Sequence, residues 1–523
     1  MKTRAVILLA ALILGLLIAP SACRPRRIND VFVIALGDNI RTIDPIGSPS
    51  VDAASERVRT LMFNSLVKKT EKFDYVGELA STIGRSDDGL TYTFTLRDGV
   101  KFHDGRVMTS ADVKYTLELL FASNFAKSAS FFEGAGDKKQ SYIKSVEAPD
   151  AHTVVVTLTK PWVGLLSNLV PIPIIPKDSY ESQKTHPLGT GPFTFVKYDN
   201  TQQIVDVDAF PEYWDGPSHL THVRVQVIAD MNALQAALES GRVDIAPMPT
   251  SLSPDSMKRF EQDPNLQVKA FAGSNVNLLT LNTQSPPLDN VKVRQAIAYA
   301  INRENIIQQL LLGYGKIAHS ILPEESWAYS PGHVYNYDPA MAKKLLAEAN
   351  FHPDKPIVFK LSGTSIAGRQ YAGVIQNDLK EVGIPIEIQT SEINTLFDEL
   401  RRGNFQIAYG QWVGGNQDPI FYKDLFASSE IPTSERSSRN RSRYSNPELD
   451  ALIDQAVNTY DRQKARDLYV KIQDIVSGDV PVLPLWYQSN VVIARKTVGN
   501  IQVNASGDWN FVKDLTVPRK SGD

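Results

Sequence analysis

Cysteine is almost absent from this chain: Cys23 is the only one in 523 residues. No intramolecular disulfide can form, so a chain long enough for two or three domains must be held by apolar cores alone. HExxH, CxxC, Walker A and GxGxxG motifs are missing too, and the nearest approach to a nucleophile elbow, Gly363-Thr364-Ser365-Ile366-Ala367, lacks its final glycine. The sequence therefore gives no support for an enzyme, and no cofactor is expected. Eight histidines are dispersed, and the close pair His219 and His222 has no carboxylate or cysteine at ligand spacing, which argues against a metal site. Formal charge is nearly balanced at −3, leaving no electrostatic footprint for nucleic acid.

What is present begins with the leader. Lys2 and Arg4 precede the apolar run Ala5 to Ala19, which is too short to cross a bilayer comfortably but suits a signal-peptide core over residues 1–22. Cys23 follows directly after Pro20-Ser21-Ala22, which resembles a bacterial lipoprotein cleavage site with lipid attached to the Cys23 thiol. Pro20 stands where that pattern prefers Leu, so ordinary cleavage near Ser21 or Ala22 stays open. Both readings export the protein. Arg24, Arg26 and Arg27 read as a solvated tether.

The body of the chain, 42% hydrophobic and 22% charged, has the composition of a globular protein. Val31 to Leu36 reads as a strand and Ser55 to Leu66 as a helix with Val58, Leu61, Met62 and Leu66 on one face. Asp88-Gly89, Asp98-Gly99 and Asp104-Gly105 predict hairpins of an antiparallel sheet around the alternating Tyr92, Phe94 and Leu96. Thr109 and Asp112 form a capping-box pattern ahead of a helix. Val154 to Leu158 alternates as a strand, and Pro187 to Phe193, PLGTGPF, reads as a fixed connector. Leu279, Leu281 and Thr283 predict a half-buried strand ended by Pro286-Pro287; Asp289 is placed as the cap of the next helix, and Asn302 as the cap of a second helix from Arg303 to Leu312. Tyr337 to Phe351 reads as a helix. Ile357 to Leu361, a helix from Tyr371 to Val382, and Pro385 to Gln389 form a strand-helix-strand unit that favours a parallel or mixed sheet.

The runs "YTFTLRDGVKFHDGRVMTSADVKYTLELL", "PLGTGPF", "LNTQSPPLDNVKVRQAIAYAINRENII" and "LRRGNFQIAYGQWVGGNQDP" resemble, in this order, the extracytoplasmic solute-binding proteins of ABC importers, the large peptide, opine and nickel binding family 5. That resemblance implies an α/β, two-lobed periplasmic-binding-protein-like fold (class II, cluster C) with an extra insert subdomain. The first lobe is expected over residues 24–66, 187–274 and 489–523, the insert over 67–186 and the second lobe over 275–488. It also implies capture of a peptide-like solute in the interlobe cleft and delivery to ABC permease subunits that couple to ATP hydrolysis elsewhere. The protein is expected to be a monomer, periplasmic or on the outer face of the membrane and lipid-anchored. An oligosaccharide, an opine-like conjugate, or a sensing role is the alternative.

The positions expected to line the cleft are Asn39, Arg369, Trp412, Gly415, Asn416, Gln417 and Asp418. Trp412, read in the loop after a buried strand, either stacks on ligand or fills core. Arg369, read in the loop before a helix, either meets a ligand carboxylate or is solvated. Peptide-binding members resemble Trp-x-Gly/Ala-Asp at this loop, with the aspartate pairing the peptide's α-ammonium. Here Trp412-Val413-Gly414 is followed by Gly415. Asp418 lies three residues on, and a structural role is expected for it, which points to ligands without an obligatory α-ammonium.

Overall fold

The computed structural model describes residues 31–48, 52–133, 139–249, 254–412, 418–434 and 438–518. Two large mixed sheets organise it. The first has seven strands in the order Phe193–Asp199, Ile204–Ala209, His222–Val227, Val31–Leu36, Ile245–Pro247, Asn490–Arg495, Leu266–Phe271. The second has six, in the order Gly315–Ile317, Val482–Gln488, Val276–Leu281, Ile407–Trp412, Ile357–Ser362, Ile386–Ser391. A four-stranded antiparallel sheet, Ala80–Arg85, Thr91–Leu96, Thr153–Leu158 and Ile143–Asp150, stands beside the first.

The strand-helix-strand unit forms as its pattern predicts: Ile357–Ser362 pairs in parallel with Ile386–Ser391. The short sheet is reached differently. Asp88-Gly89 closes a true hairpin, but Asp98-Gly99 and Asp104-Gly105 turn a loop with only the single bridge Lys101 to Val107, and Thr91–Leu96 takes Thr153–Leu158 as its other neighbour. Local turn chemistry cannot reveal a partner that arrives some sixty residues later.

The cores show which pieces are packed as one. One cluster of buried side chains runs from Phe32, Ile34 and Val225 of the seven-stranded sheet through Leu61 and Leu79 to Phe94, Val154 and Leu165 of the four-stranded region. Contiguous apolar packing of this kind makes the two a single mechanical body. Apart from Leu312 and Tyr314, which pack against a core of the first body, residues 276–488 pack on the two faces of the six-stranded sheet, around Leu279, Phe359 and Trp486 on one side and Leu278, Tyr422 and Ile472 on the other. Val276–Leu281 is thus covered on both faces rather than half-buried as its alternation suggests.

The chain passes between the two bodies twice, from Phe271 to Val276 and from Gln488 to Asn490, and the crossings lie side by side. Gln488 N donates to Asn275 O at 3.1 Å, and the Asn490 amide reaches Ala272 O at 3.2 Å. A Cβ on Gly273 would sit 1.9 Å from Gln488 O, so only glycine lets the two backbones approach this closely.

Several boundaries shift for local reasons. The helix expected from Ser55 runs Ala53–Met62, capped by Asp52, and stops at Phe63, after which the chain is extended and Leu66 is buried outside the helix. Asn290, not Asp289, caps Val291–Ala300 by accepting from Lys292 N; Asn302 caps Arg303–Leu310 as expected, and Thr109 with Asp112 forms the capping box. The helix expected over Tyr337 to Phe351 is Pro339–Glu348, started by Asp338.

Candidate functional site

The candidate site is taken where residues of the insert ribbon approach Asp418, shortly after the carboxyl end of Ile407–Trp412. Trp412 is the last residue of that strand, opposite Val276, rather than a loop residue. It is half-buried, its ring lies edge-on to Phe421 at 5.4 Å between centroids, and the Arg439 guanidinium sits 5.7 Å from it and 6.0 Å from Phe421. Asp424 pairs with Arg439 at 3.2 Å and so holds the cation over the aromatic pair.

Asp418 lies just before the helix Phe421–Phe426, whose cap position is Ile420. Its Oδ1 accepts from Ile420 N at 2.8 Å, while its Oδ2 accepts from the Tyr75 hydroxyl at 2.7 Å. Burial raises the Asp418 carboxyl above its ordinary range, opposed by those two hydrogen bonds and by nearby Lys69. Burial likewise pushes the Tyr75 hydroxyl up, helped by the Asp418 charge. Each carboxylate oxygen thus has a protein donor.

Tyr75 comes from a two-stranded ribbon, Val67–Lys69 with Tyr75–Gly77, in which Lys69 stands directly opposite Tyr75. Opposed residues on paired strands project from the same face, so Lys69 and Tyr75 point together toward Asp418. Phe73, buried and in the left-handed region at φ 61°, makes the sharp return between the strands, and the Lys69 ammonium lies 4.8 Å from its ring. Burial pulls the Lys69 ammonium down to about 8, opposed by the charges of Asp508 and Asp418. Asp508 is fixed within the C-terminal segment by Asn504 at 2.9 Å and Ser506 at 2.6 Å. Arg57, whose guanidinium burial lowers and Asp38 and Asp508 support, completes this charged group.

Asn39 is exposed just beyond the strand Val31–Leu36. The loop that continues from it is tied down: Lys127 donates to Pro45 O at 2.8 Å and pairs with Glu56 at 2.7 Å. Arg369 is not in a loop. Ser365 caps a helix, Ile366–Glu381, that begins before Arg369, and the exposed guanidinium folds back to donate to Gly363 O. Gly415, Asn416 and Gln417 lie outside the described residues, as does Cys23. The structure brings Asp418 together with Lys69, Tyr75 and Asp508, and Trp412 together with Arg439; sequence reasoning passed over Lys69, Tyr75, Arg439 and Asp508. The only signal for the first two was the ribbon register, which needs the turn at Phe73 to be known.

Among the described residues no group of three or more His, Cys, Asp or Glu could hold a metal ion, and no helix is long and apolar enough to cross a membrane.

A sequence profile described as Bacterial extracellular solute-binding proteins, family 5 Middle, matches residues 74–433. The chain is 30% identical over 467 residues to the heme-binding protein A of Haemophilus influenzae, covering 84% of this chain and 83% of that one. It is 29% identical to the dipeptide-binding protein of Escherichia coli, covering 86% and 88%. Among solved structures, an ABC transporter substrate-binding protein of Listeria monocytogenes superposes with a TM-score of 0.82 at 25% identity over 93% of this chain and 99% of that one. A periplasmic binding protein of Helicobacter pylori in complex with the peptide STSA superposes at 0.71 and 27% identity, covering 94% and 98%.

Proposed function

This chain belongs to the bacterial extracellular solute-binding proteins of family 5, and from that membership we propose that it is the substrate-binding component of an ABC importer, closing two lobes around a peptide-like solute and presenting it to the membrane permease. The observation that carries the reading is the Tyr75–Asp418 hydrogen bond, which joins residues of the two bodies. A solute favours closure only by binding the closed arrangement better than the open one, and a site built from both sides provides that difference. The two chain crossings beside Gly273 supply the hinge.

Within this reading the first lobe comprises residues 24–66, 187–274 and 489–523, the insert 67–186 and the second lobe 275–488. Trp412 offers an aromatic face to the solute, Asn39 lines the first-lobe side, and Arg369, swung off Gly363, takes a carboxylate. Gly415, Asn416 and Gln417 supply backbone and amide contacts. A tether through Cys23 keeps the monomer beside its permease. Isothermal calorimetry with a panel of di- to pentapeptides tests it, alongside small-angle scattering of stripped and saturated protein. Micromolar or tighter binding with compaction is the expected result; tight binding to oligosaccharides and to no peptide overturns it.

A further inference from the structure

A row of three arginines, Arg439, Arg441 and Arg443, starts beside Trp412 on the second body, and its middle member has no acid of its own. Arg439 pairs with Asp424 at 3.2 Å, and Arg443 is tied to the end of the helix Ile393–Arg402 by donating to Arg401 O at 2.9 Å. Among the described residues no acid or hydrogen-bond acceptor pairs with the Arg441 side chain. Its guanidinium lies 4.7 Å over the ring of Phe397, which is itself 43% exposed.

The backbone that carries Arg441 is fixed. Asn440 is fully buried; its amide donates to Ala427 O at 3.0 Å and Tyr444 O at 2.8 Å, and its Oδ1 accepts from the Ser442 hydroxyl at 2.9 Å. Arg441 N donates in turn to Arg439 O at 2.7 Å. The free guanidinium thus projects from an anchored segment, and a group held in this way loses little freedom on meeting a ligand.

We propose that Arg441, seconded by Arg439, receives an acidic group that the solute carries apart from its terminal carboxylate, so that the preferred solutes are acidic peptides. This deepens the reading above and rests on it, since Arg369 is there assigned the terminal carboxylate. Position supports it first. Ile357–Ser362 runs parallel to both Ile386–Ser391 and Ile407–Trp412, so the three strands end on one edge, the edge at which α/β sheets receive ligands. Trp412 ends one of these strands, and the helix bearing Phe397 follows another, which sets Arg439 and Arg441 along that edge. Trp412 also stands opposite Val276, where the chain arrives from the first body. Burial raises the Tyr142 hydroxyl of the insert region, helped by the charges of Glu133, Asp424 and Glu430, so the Asp424–Arg439 pair lies on the side that the insert approaches.

Charge supports it second. Arg439 and Arg441 are close enough to repel, and the one carboxylate paired with either of them, Asp424, belongs to Arg439. Burial lowers the Arg441 guanidinium, and the Arg439 charge lowers it further. An incoming carboxylate offsets both effects: it supplies the missing counter-charge and accepts two parallel N–H groups from the guanidinium fork. A neutral amide of the same shape supplies no counter-charge.

The test uses six tripeptides: Glu-Ala-Ala, Ala-Glu-Ala and Ala-Ala-Glu, each with its Gln counterpart. Each is titrated calorimetrically into the wild-type protein, Arg441→Met and Arg441→Lys. Arg466, exposed on the helix Arg462–Asp479, gives the charge-matched control Arg466→Met. For at least one position the wild type and the control are expected to bind the Glu peptide about tenfold or more tighter than the Gln peptide. In Arg441→Met that advantage should fall below about threefold with the Gln affinity little changed. Arg441→Lys keeps the charge but loses the fork, so its advantage should lie between the two. A cooperative thermal melt shows that each variant is folded. Absence of a Glu advantage at every position in the wild type overturns the assignment, as does an advantage that survives undiminished in Arg441→Met; in either case binding of the Gln peptides leaves peptide capture standing. A folded wild type that binds none of the six overturns peptide capture together with the assignment.

Discussion

Tyr75 and Asp418 are 343 residues apart in sequence and 2.7 Å apart in space, the phenol donating to the carboxylate. The bond is one of several contacts between the insert region and the second body. Arg85 lies 4.0 Å over the ring of Tyr460, and Asp74 pairs with Arg462, whose guanidinium also rests 3.9 Å over Trp327. Because the insert shares its core with the seven-stranded sheet, every one of these contacts must break when the lobes part.

The first prediction concerns that latch. A hydrogen bond and a cation-π contact contribute about 1 kcal/mol each, whereas the half-exposed Asp74–Arg462 pair adds less. Tyr75→Phe combined with Arg85→Ala should shift the unliganded protein toward open forms and weaken solute affinity roughly tenfold. Scattering should show a larger radius of gyration before solute is added; an unchanged radius would refute the latch.

A second prediction is a pH dependence of stability set by His103. Its Nε2 meets Gly191 O at 3.1 Å and its Nδ1 accepts from Gly189 N at 3.3 Å, an arrangement that needs the neutral ring. Burial lowers its folded pKa to about 4, opposed by the Gly191 carbonyl and Asp104. With the folded value below the unfolded one, the unfolded chain takes up the proton first. The contribution is therefore full above about pH 6.5 and is lost as pH falls toward 4, with a ceiling of about 3 kcal/mol. His103→Gln, which keeps one donor and one acceptor, should flatten this part of a plot of melting temperature against pH.

Gly191→Ala tests the connector between the insert and the first sheet. A Cβ there would lie 2.4 Å from Met62 C and 2.5 Å from Phe63 N, backbone atoms that cannot swing aside. The expected cost is about 1–3 kcal/mol, read as a lowered denaturation midpoint with an unchanged slope. An unaffected midpoint would mean the connector does not pack this tightly in solution.

For the tether, Cys23→Ala should move the mature protein from the membrane fraction to the soluble one, or stall its precursor. Membrane retention at wild-type levels of processing would point instead to an uncleaved signal anchor.

What the sequence made legible was local. Thr109 with Asp112, Asn302 before Arg303, and the Asp88-Gly89 hairpin are each decided by atoms within a few residues, and all three form as their chemistry predicts. The family resemblance carried the two-lobed architecture. Misreadings arose where two local choices were nearly equal or the deciding partner was distant. Asp289 and Asn290 are both good caps, and only the path of the chain after Pro287 selects the second. Arg369 reads as a loop residue ahead of a helix from Tyr371, yet Ser365 accepts from Gly368 N and starts the helix at Ile366. Trp412 becomes a strand residue because Val276 pairs with it across the sheet. The site was least legible, since Lys69 and Tyr75 acquire meaning only when a ribbon register and a closing lobe bring them to Asp418.

The strand Asn490–Arg495 lies inside the seven-stranded sheet, between Ile245–Pro247 and Leu266–Phe271, although it is among the last parts of the chain to be made. Every strand of the six-stranded sheet, by contrast, falls between residues 276 and 488. During export the amino-terminal body thus emerges first and finishes last: it must wait, with the gap between two of its strands open, until nearly the whole polypeptide has crossed. The later-arriving lobe can complete its sheet before the earlier one. An exported chain built this way postpones its own compaction for most of its passage, which keeps it threadable through a translocation channel and obliges whatever receives it on the far side to shield an unfinished sheet.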